Sequence, residues 1–462
     1  MGKIFAMNTY FNVVEKQRKF FNSNKTKDIN FRKQQLKLLS QALKSYESKL
    51  EKAIYDDFKK SKFDTFTNEL ALLYLDIKEA IKKVNRWSSI KRVKTNIINF
   101  PAKSYIVPEP LGVCLIIGAW NYPIQLSLAP AIAAIAAGNT VILKPSELSS
   151  NTSSVIKEMI KNTFDDAFFT VIEGGVEETT ALLEQKFDKI FFTGSVPVGK
   201  IVYQAAAKQL TPVTLELGGK SPTIVWHDAN IKVSAKRITW AKFLNAGQTC
   251  IAPDYLLVHQ HIYNDFLQAL KEEIKQSNFA LENGNYVQII NQKNFNRLIE
   301  MMDKEKIFTG GNFNAEKRLI EPTILYNVDF KHISMQDEIF GPILPVLSFE
   351  NIEDVIDEIK RRPRPLSCYI YSGNKKIAKK IISEISFGGG AINDSIMHIT
   401  NSKLPFGGVG DSGIGSYHGK AGFDTFTHYK SIMDKPTFFE PNFKYSPYSD
   451  KKINIIRKFM RI

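Results

Sequence analysis

Five short apolar runs between residues 112 and 217 constrain the fold more than any other feature of this sequence. Each run has the length of one buried strand, and the segments between them, such as the Ala-rich stretch 126–137, are long enough for one helix each. Strands that alternate with helices pair through crossover connections, which predicts a parallel sheet covered on both faces. The pattern is typical of a doubly wound, nucleotide-binding α/β domain. The runs are GVCLIIGAW (112–120), TVILKPS (140–146), FFTVIEG (168–174), KIFFTGS (189–195) and PVTLELG (212–218).

The flanking regions have different patterns. Residues 28–87 carry apolar residues at three-to-four spacing, which predicts long helices. The proline-containing segment 96–110 predicts an extended excursion, and residues 424–435 are expected to pair with it. Few helix signals follow Gly419. From Gly218 onward the chain predicts a second α/β domain, with strands near 221–226, 254–260, 322–328, 342–349, 366–373 and 389–394, and helices near 231–246, 263–276, 292–302, 351–361 and 374–384.

The composition is that of a folded globular protein. The chain has 462 residues, of which 44% are hydrophobic and 24% charged, and this excludes a disordered, collagenous or coiled-coil chain. The first ten residues lack the features of a signal peptide, and no window approaches a membrane span. The net charge of +15 is spread along the chain, which favours a solvated surface over a nucleic-acid-binding one. We expect a cytoplasmic protein that binds no nucleic acid.

The three cysteines fall into two kinds. They are too few for a disulfide framework and lack zinc-ligand spacing, so the sequence predicts a reducing compartment and no metal site. Cys114 and Cys368 lie inside apolar strand runs and are expected to be buried. Cys250 follows Gly247-Gln248, where a helical pattern ends among small polar residues. It is therefore the one plausible nucleophile.

The sequence around Cys250 resembles a known family. NAGQTC (245–250) and LELGGKSP (215–222) resemble the paired signatures of the NAD(P)-dependent aldehyde dehydrogenase superfamily. The block LPFGGVGDSGIGSYHGKAGFDTFTH (404–428) resembles the class 3-like branch, which includes fatty aldehyde dehydrogenases. The ordered set of motifs over residues 119–428 implies the aldehyde dehydrogenase fold. The other matching motifs are AWNYP (119–123), KPSE (144–147), FTGSVPVG (192–199) and EIFGP (338–342).

The resemblance implies a catalytic set. Cys250 adds to the aldehyde, and the oxyanion is held by the Asn121 side chain and the Cys250 backbone N–H. Glu216 is then the general base that lets water hydrolyse the thioester. Two simpler readings stay open: Asn121 can be a turn residue, and Glu216 can form a salt bridge with Lys220.

The resemblance also implies a nicotinamide cofactor, although the first βα turn lacks G-x-G-x-x-G. Gly194, Ser195 and Gly199 are expected at the pyrophosphate, where a helix N-terminus favours anions, although Gly-Ser here could also be only a helix cap. Lys144 is expected at the adenosine ribose, with Glu147 beside it.

Cofactor preference and the nicotinamide end follow from the same motifs. Glu147 should repel a 2′-phosphate, so NAD is the expected cofactor, with NADP also accepted as in class 3-like members. Glu338 is carried over as a ligand of the nicotinamide ribose, and Phe340 as a neighbour of the ring, although without the family both would be read as loop residues.

The expected reaction is oxidation of a medium- to long-chain aliphatic or isoprenoid aldehyde to the free acid. Tyr122 and His418 are pocket positions in the class 3-like branch. The alternatives are an acyl-transferring or reductive enzyme, which would generally lack Glu216, and a lipid-binding protein with a relic site.

The resemblance also suggests domains and partners. A homodimer is expected through the extended segments, and the basic amphipathic tail is expected either to lie on an anionic membrane surface or to pack on the protein itself. The enzyme would then be peripheral on the inner face of the membrane. The expected parts are the NAD-binding domain with N-terminal helices (1–90 and 109–217), the catalytic domain (218–420), the oligomerisation segment (91–108 and 421–440) and the tail (441–462).

Overall fold

The structure is a computed structural model that describes residues 2–460, with the side chains of residues 10–458 and 460. The chain forms two compact units, one of residues up to Trp87 with Pro110–Thr427, and one of Ser88–Glu109 with residues from His428 onward. The described helices are α1 Gly2–Asn22, α2 Ile29–Phe58, α3 Lys62–Thr65, α4 Ala71–Trp87, α5 Gln125–Ala137, α6 Ser150–Thr163, α7 Val176–Leu183, α8 Val196–Ala207, α9 Ile231–Phe243, α10 Tyr263–Ser277, α11 Gln292–Glu300, α12 Ile352–Arg361, α13 Lys375–Glu384, α14 Gly419–Thr425 and α15 Asp450–Met460.

The strands belong to two large sheets and two small ones. They are β1 Lys91–Val93, β2 Lys103–Pro110, β3 Val113–Ile117, β4 Thr140–Lys144, β5 Phe169–Val171, β6 Lys189–Gly194, β7 Val213–Leu217, β8 Pro222–Val225, β9 Tyr255–His259, β10 Ile307–Thr309, β11 Phe313–Asn314, β12 Leu319–Ile320, β13 Thr323–Leu325, β14 Ile343–Phe349, β15 Ser367–Tyr371, β16 Gly389–Ile392, β17 Gly413–Ile414 and β18 Thr427–Asp434.

The five apolar runs form the first large sheet, and this confirms the predicted doubly wound fold. The sheet has the order β17-β7-β6-β3-β4-β5, and β3 to β7 are parallel. Alternate residues of β3 pack on opposite faces, because Leu115 belongs to the core under α1, α7 and α8, whereas Cys114 belongs to the core under α2, α4, α5 and α6. The strand order reverses between β3 and β6, which is where such sheets bind ligands.

The second large sheet confirms the predicted second α/β domain. Its order is β10-β13-β14-β9-β8-β15-β16, and every pair in it is parallel except β10 with β13. The chain passes from β7 in the first sheet to β8 in the second through Gly218-Gly219. The short strands β10, β11, β12 and β17 were not predicted from the sequence, because two or three residues carry too little pattern.

Two helices differ from what the sequence predicts. Helix α1 begins well before the predicted helical region 28–87. Helix α14 corrects the expectation that few helix signals after Gly419 meant no helix there. Its glycines are poor helix formers, but a Cβ at Gly422 would lie 3.2 Å from the Ala133 side chain, so the close packing of α14 on α5 requires a small residue.

The smaller unit contains a three-stranded sheet of order β1-β2-β18. The predicted pairing of residues 424–435 with the extended segment is therefore confirmed, and Lys430 and Glu109 join the strands through an ion pair of 2.7 Å. Helix α15 covers most of the predicted tail helix, while Arg461 and Ile462 lie outside the described residues. Within residues 2–460, none of the helices has the length and apolar composition needed to cross a bilayer.

Candidate active site

Cys250 is presented by a turn that only a particular sequence can form. Helix α9 ends at Phe243, and the next residues turn through positive φ at Asn245 (55°), Ala246 (52°) and Gly247 (73°). A Cβ at Gly247 would lie 2.2 Å from the Gly341 carbonyl oxygen, so a larger residue does not fit there. The turn leaves Cys250 partly exposed, whereas Cys114 and Cys368 are buried as predicted.

Asn121 is bound to this turn. The side-chain Nδ2 of Asn121 donates to the Gln248 backbone carbonyl oxygen at 3.1 Å, and the backbone carbonyl oxygen of Asn121 accepts from Asn245 Nδ2 at 3.0 Å. Asn245 Nδ2 also donates to the Gln248 carbonyl oxygen at 3.1 Å. Asn121 is thus a buried cross-link between two loops, and a turn preference alone does not explain its place.

Glu216 lies near the end of β7 and is buried without compensation. Neither carboxylate oxygen has a hydrogen-bond partner within residues 2–460. Burial therefore raises the pKa of Glu216 well above its usual value. The alternative of a salt bridge with Lys220 is wrong, because Lys220 Nζ lies 2.5 Å from Asp254 Oδ2 and also donates to the Ser334 carbonyl oxygen at 2.7 Å.

The charges of two carboxylates reach the Cys250 thiol. Burial raises the pKa of Cys250 to about 12, and the negative charges of Glu338 and Glu216 contribute to the same shift. At neutral pH the thiol is therefore protonated in this structure, and a base must remove its proton before it can act as a nucleophile.

The Glu338–Phe340 segment is held by charged neighbours. Arg297 donates to the carbonyl oxygens of Glu338 at 3.2 Å and Ile339 at 2.7 Å, and Asp254 Oδ1 accepts from the Ile339 N–H at 3.0 Å. Burial, and then the charge of Asp254, raise the pKa of Glu338 to about 8. Phe340 has a positive φ of 49°. Its ring packs edge-on against Trp120, with 5.4 Å between the centroids.

The other predicted cofactor residues lie at the carboxyl ends of β4 and β6. Lys144 is buried, and its Nζ lies 2.8 Å from Glu147 Oε2. Gly194 ends β6, and Ser195 precedes α8 without capping it through its side chain. A Cβ at Gly199 would lie 2.6 Å from Leu217 Cδ2, so glycine allows α8 to approach β7 closely. A buried lysine, a half-exposed carboxylate and an open helix N-terminus at the carboxyl edge of the sheet fit a dinucleotide.

A cavity of 380 Å³ lies beside the predicted pocket residue His418. Its wall combines the apolar Leu72, Leu75 and Ile399 with a charged group formed by Asp76, Lys78, Glu79, Lys82 and Lys83. His418 is buried, and burial lowers its pKa to about 4, so the ring is neutral at physiological pH. A small void of 20 Å³ shares His418 with the cavity and also contacts Tyr417, whose pKa is raised by burial and then by Glu216 and Cys250.

The other predicted pocket residue, Tyr122, lies elsewhere. It does not line this cavity, and its hydroxyl lies 2.7 Å from Thr249 Oγ1, next to Cys250. Sequence reasoning also missed Lys60 and Glu69, a buried ion pair, and Lys242, whose buried Nζ has no hydrogen-bond partner among the described residues. Asn245 could have been found, because it belongs to NAGQTC.

A doubly wound parallel sheet whose carboxyl edge fits a dinucleotide, together with a cysteine near an unpartnered carboxylate, is the arrangement expected of a nicotinamide-dependent oxidoreductase. The profile of the aldehyde dehydrogenase family matches residues 8–432. The chain therefore belongs to the aldehyde dehydrogenase family, and its activity is the NAD(P)-dependent oxidation of an aldehyde.

Relatives support the predicted branch. The chain is 49% identical over 448 residues to 4,4'-diaponeurosporen-aldehyde dehydrogenase of Staphylococcus aureus (strain NCTC 8325 / PS 47), covering 95% of this chain and 98% of that protein. It is 44% identical over 445 residues to aldehyde dehydrogenase family 3 member A2 of Pongo abelii, covering 96% and 92%. The solved substrate-bound state of Staphylococcus aureus AldH superposes with a TM-score of 0.95 at 48% identity, covering 97% of this chain and 99% of that one. These matches confirm the class 3-like resemblance.

Proposed function

We propose that Cys250, Asn121 and Glu216 carry out the oxidation and that Glu216 is the general base. The observation that carries this proposal is the buried Glu216 carboxylate, whose oxygens have no hydrogen-bond partner in the described part of the chain. Such a group destabilises a fold by several kcal/mol when it is charged, and burial raises its pKa, which makes the carboxylate a stronger base than that of an exposed glutamate. A carboxyl group in this state is expected where it is used.

In the first half of the reaction, the Cys250 sulfur releases its proton to solvent, and the thiolate adds to the carbonyl carbon. A C–S bond forms, and the π electrons move onto the oxygen, which accepts hydrogen bonds from Asn121 Nδ2 and the Cys250 N–H. Bound NAD(P) supplies the acceptor for the hydride that leaves the former aldehyde carbon. Cys250 then carries a thioester.

In the second half, Glu216 takes a proton from the water that attacks the thioester carbon. The C–S bond then breaks with its electron pair going to sulfur, the proton held by Glu216 passes to the Cys250 thiolate, and the carboxylic acid leaves and releases its own proton to solvent. Glu216 is suited to this step because burial makes its carboxylate a stronger base than an exposed glutamate.

The test is a rapid-mixing experiment on Glu216→Gln. One equivalent of reduced cofactor should form per active site, and turnover should then stall with an acyl group on Cys250 that mass spectrometry detects. Steady turnover at the wild-type rate would overturn the role of Glu216. The absence of any burst would place the residue in the first half of the reaction instead.

For the cofactor, we propose NAD as the preferred form, with NADP accepted. Lys144 and Glu147 would hold the adenosine ribose, Gly194, Ser195 and Gly199 the pyrophosphate, and Glu338 and Phe340 the nicotinamide end. The negative charge of Glu147, beside Lys144, supports the preference because it would repel a 2′-phosphate. The ratio of kcat/KM for NAD and NADP measures it, and a ratio below one would contradict it.

For the substrate, we propose medium- to long-chain aliphatic or isoprenoid aldehydes. Leu72, Leu75 and Ile399 give the cavity beside His418 an apolar wall that suits a hydrocarbon chain. The staphylococcal relative, by its name, acts on a diaponeurosporen aldehyde. Comparison of kcat/KM for hexanal, a long-chain enal and succinic semialdehyde tests the proposal, which a preference for the semialdehyde would overturn.

We further propose a homodimer built by the extended segments 91–108 and 421–440. They would flank an NAD-binding domain of residues 1–90 and 109–217 and a catalytic domain of residues 218–420. Strand β1 is exposed along its length and pairs with β2 on one side only, so it is an edge that a second copy could cover. Light scattering at micromolar concentration should give twice the chain mass, and a monomer would contradict the proposal.

The tail 441–462 is proposed to bind anionic membrane surfaces, making the enzyme peripheral on the inner face of the membrane. Ile453, Ile455 and Met460 are exposed on α15 among basic residues. Lys452, which falls between Ile455 and Ile456 when α15 is drawn at 100° per residue, donates to the Tyr445 and Pro447 carbonyl oxygens at 2.7 Å each, so its ammonium has partners within the protein. Sedimentation with anionic vesicles at low salt should require residues 449–462, and equal pelleting without them would refute the proposal.

A further inference from the structure

A buried ion pair in the N-terminal helical region contacts the loop that carries Asn121, and no step proposed above uses it. Lys60 Nζ lies 2.7 Å from Glu69 Oε1, and the two side chains are 1% and 0% exposed. An ion pair this deeply buried contributes little net stability, because desolvation of both charges offsets their attraction. The role of the pair is therefore better inferred from the residues that it contacts than from its contribution to stability.

Glu69 holds the chain just after Asn121. It lies in a π-helical turn, Phe66–Leu70, a rare element that is frequent at functional sites. Its Oε2 accepts hydrogen bonds from the backbone N–H groups of Ile124 at 2.8 Å and Gln125 at 3.1 Å. These amides start α5, whose N-cap residue Ile124 has no capping side chain of its own. Glu69 thus caps α5 from another helix and fixes the loop 121–125 at its end.

Lys60 holds the same loop at its middle. Its ammonium lies 4.0 Å from the centroid of the Tyr122 ring, which is the distance of a strong cation–π contact. The Tyr122 hydroxyl lies 2.7 Å from Thr249 Oγ1. The ion pair therefore contacts Tyr122, which is next to Asn121 in the chain. Through the Tyr122 hydroxyl it is also linked to Thr249, which is next to Cys250.

We propose that Lys60 and Glu69 are positioning residues that fix the Asn121 amide relative to the Cys250 sulfur. They act through the loop 121–125 and contact neither substrate nor cofactor. The inference rests on the oxyanion role proposed above for Asn121. Its consequence is that loss of the pair should impair steps that need the oxyanion site and spare reactions of Cys250 that do not.

The experiment compares Glu69→Gln, the neutral double variant Lys60→Met/Glu69→Gln, Asn121→Ala and Asn121→Ala/Glu69→Gln. The double variant at the ion pair leaves no buried charge unpaired, so it remains informative if Glu69→Gln folds poorly. Each variant is measured for kcat, for cofactor dissociation constant and for the rate at which iodoacetamide alkylates Cys250, a displacement that forms no oxyanion. Glu158→Gln, which breaks the exposed ion pair with Lys49, is the matched control.

Loss of the ion pair should lower kcat by about 10²-fold, the usual cost of misplacing a reacting group by about 1 Å. Alkylation and cofactor binding should stay within about twofold of the wild type, as should every value for Glu158→Gln. In the Asn121→Ala background, Glu69→Gln should change kcat by less than about threefold, because residues acting as a unit are not additive.

Four results would overturn the inference. Unchanged kcat in both ion-pair variants would show that the pair does not affect the reaction. Alkylation of Cys250 that falls in parallel with kcat would show a general loss of structure rather than a misplaced Asn121 amide. Effects of Glu69→Gln and Asn121→Ala that multiply would separate the ion pair from the oxyanion site while leaving the role of Asn121 intact. Unchanged kcat in Asn121→Ala alone would instead overturn the oxyanion role itself, and the inference with it.

Discussion

Two largely buried charged groups on either side of the junction between the large sheets differ in their hydrogen-bond partners. Lys220 is fully partnered by Asp254 and by the carbonyl oxygens of Ser334 and Asp337. Glu216, four residues earlier in the chain, has no hydrogen-bond partner in the part of the chain that the structure describes. Burial alone therefore does not tell a structural charge from a reactive one, because the difference lies in the partners. The partnered pair should serve stability and the unpartnered carboxyl should serve chemistry.

The largest effect should come from the nucleophile on the unpartnered side. Cys250→Ala should lower aldehyde oxidation by at least about 10⁴-fold, because the reaction has no other route to a thioester. Cofactor binding, measured by fluorescence titration, should survive. Cys368→Ala, which changes a buried cysteine in β15, is the matched control and should retain activity in proportion to the folded protein. Residual turnover near the wild-type rate would move the chemistry away from Cys250.

Substitutions at the partnered pair, Lys220 and Asp254, should instead lower the stability of the fold. Lys220→Met leaves the buried Asp254 carboxylate without its cationic partner, so the free energy of unfolding should fall by about 3 kcal/mol in denaturant titrations. Lys157→Met, which breaks an exposed ion pair with Glu173, should cost less than about 1 kcal/mol. Glu216→Gln should cause no loss of stability, since it removes a buried charge that lacks a partner. Equal losses for Lys220→Met and Glu216→Gln would erase the distinction between the two sides.

The buried carboxyl groups of Glu216 and Glu338 should also affect how stability depends on pH. Burial raises the pKa of Glu216 well above its usual value and that of Glu338 to about 8, so the folded state binds these protons more tightly than the unfolded state. The stability from this source is complete below the unfolded pKa, near 4.5, and is lost as pH rises towards 8. Melting temperatures from pH 5 to 8 should therefore fall less steeply in Glu216→Gln than in the wild type, and parallel curves would contradict this.

The smallest effect should come from a charge that is partnered but half-exposed. Glu147 pairs with buried Lys144 while 47% of its side chain remains exposed. Glu147→Gln should raise the ratio of kcat/KM for NADP over NAD by about fivefold, which corresponds to the roughly 1 kcal/mol of charge repulsion expected near a surface. Glu158→Gln should leave the ratio unchanged. An unchanged ratio in Glu147→Gln would remove this residue from cofactor selection.

The sequence predicts the strands of both large sheets other than β10 and β17, because their apolar runs are buried on two faces and bounded by polar residues. It does not predict β17, whose two residues Gly413 and Ile414 carry no periodicity, or α14, which depends on close packing. The positions of Cys250, Glu216 and Asn121 followed from motifs. The role of the Lys60–Glu69 pair could not be predicted in this way. It depends on contacts with residues 122–125, which are distant in sequence and are brought close only by the packing of the helices.

The pairing of β17 with β7 has a consequence for how the protein is made. Gly413 is the register partner of Glu216, so this edge of β7 is covered by a segment that is synthesised about 200 residues later. Until then a nascent chain holds β7 as an open edge, a state that invites pairing with other chains and calls for chaperones. Such a distant pairing also raises contact order and slows folding. A growing chain thus contains Glu216 and Cys250 long before the strand that encloses Glu216 exists.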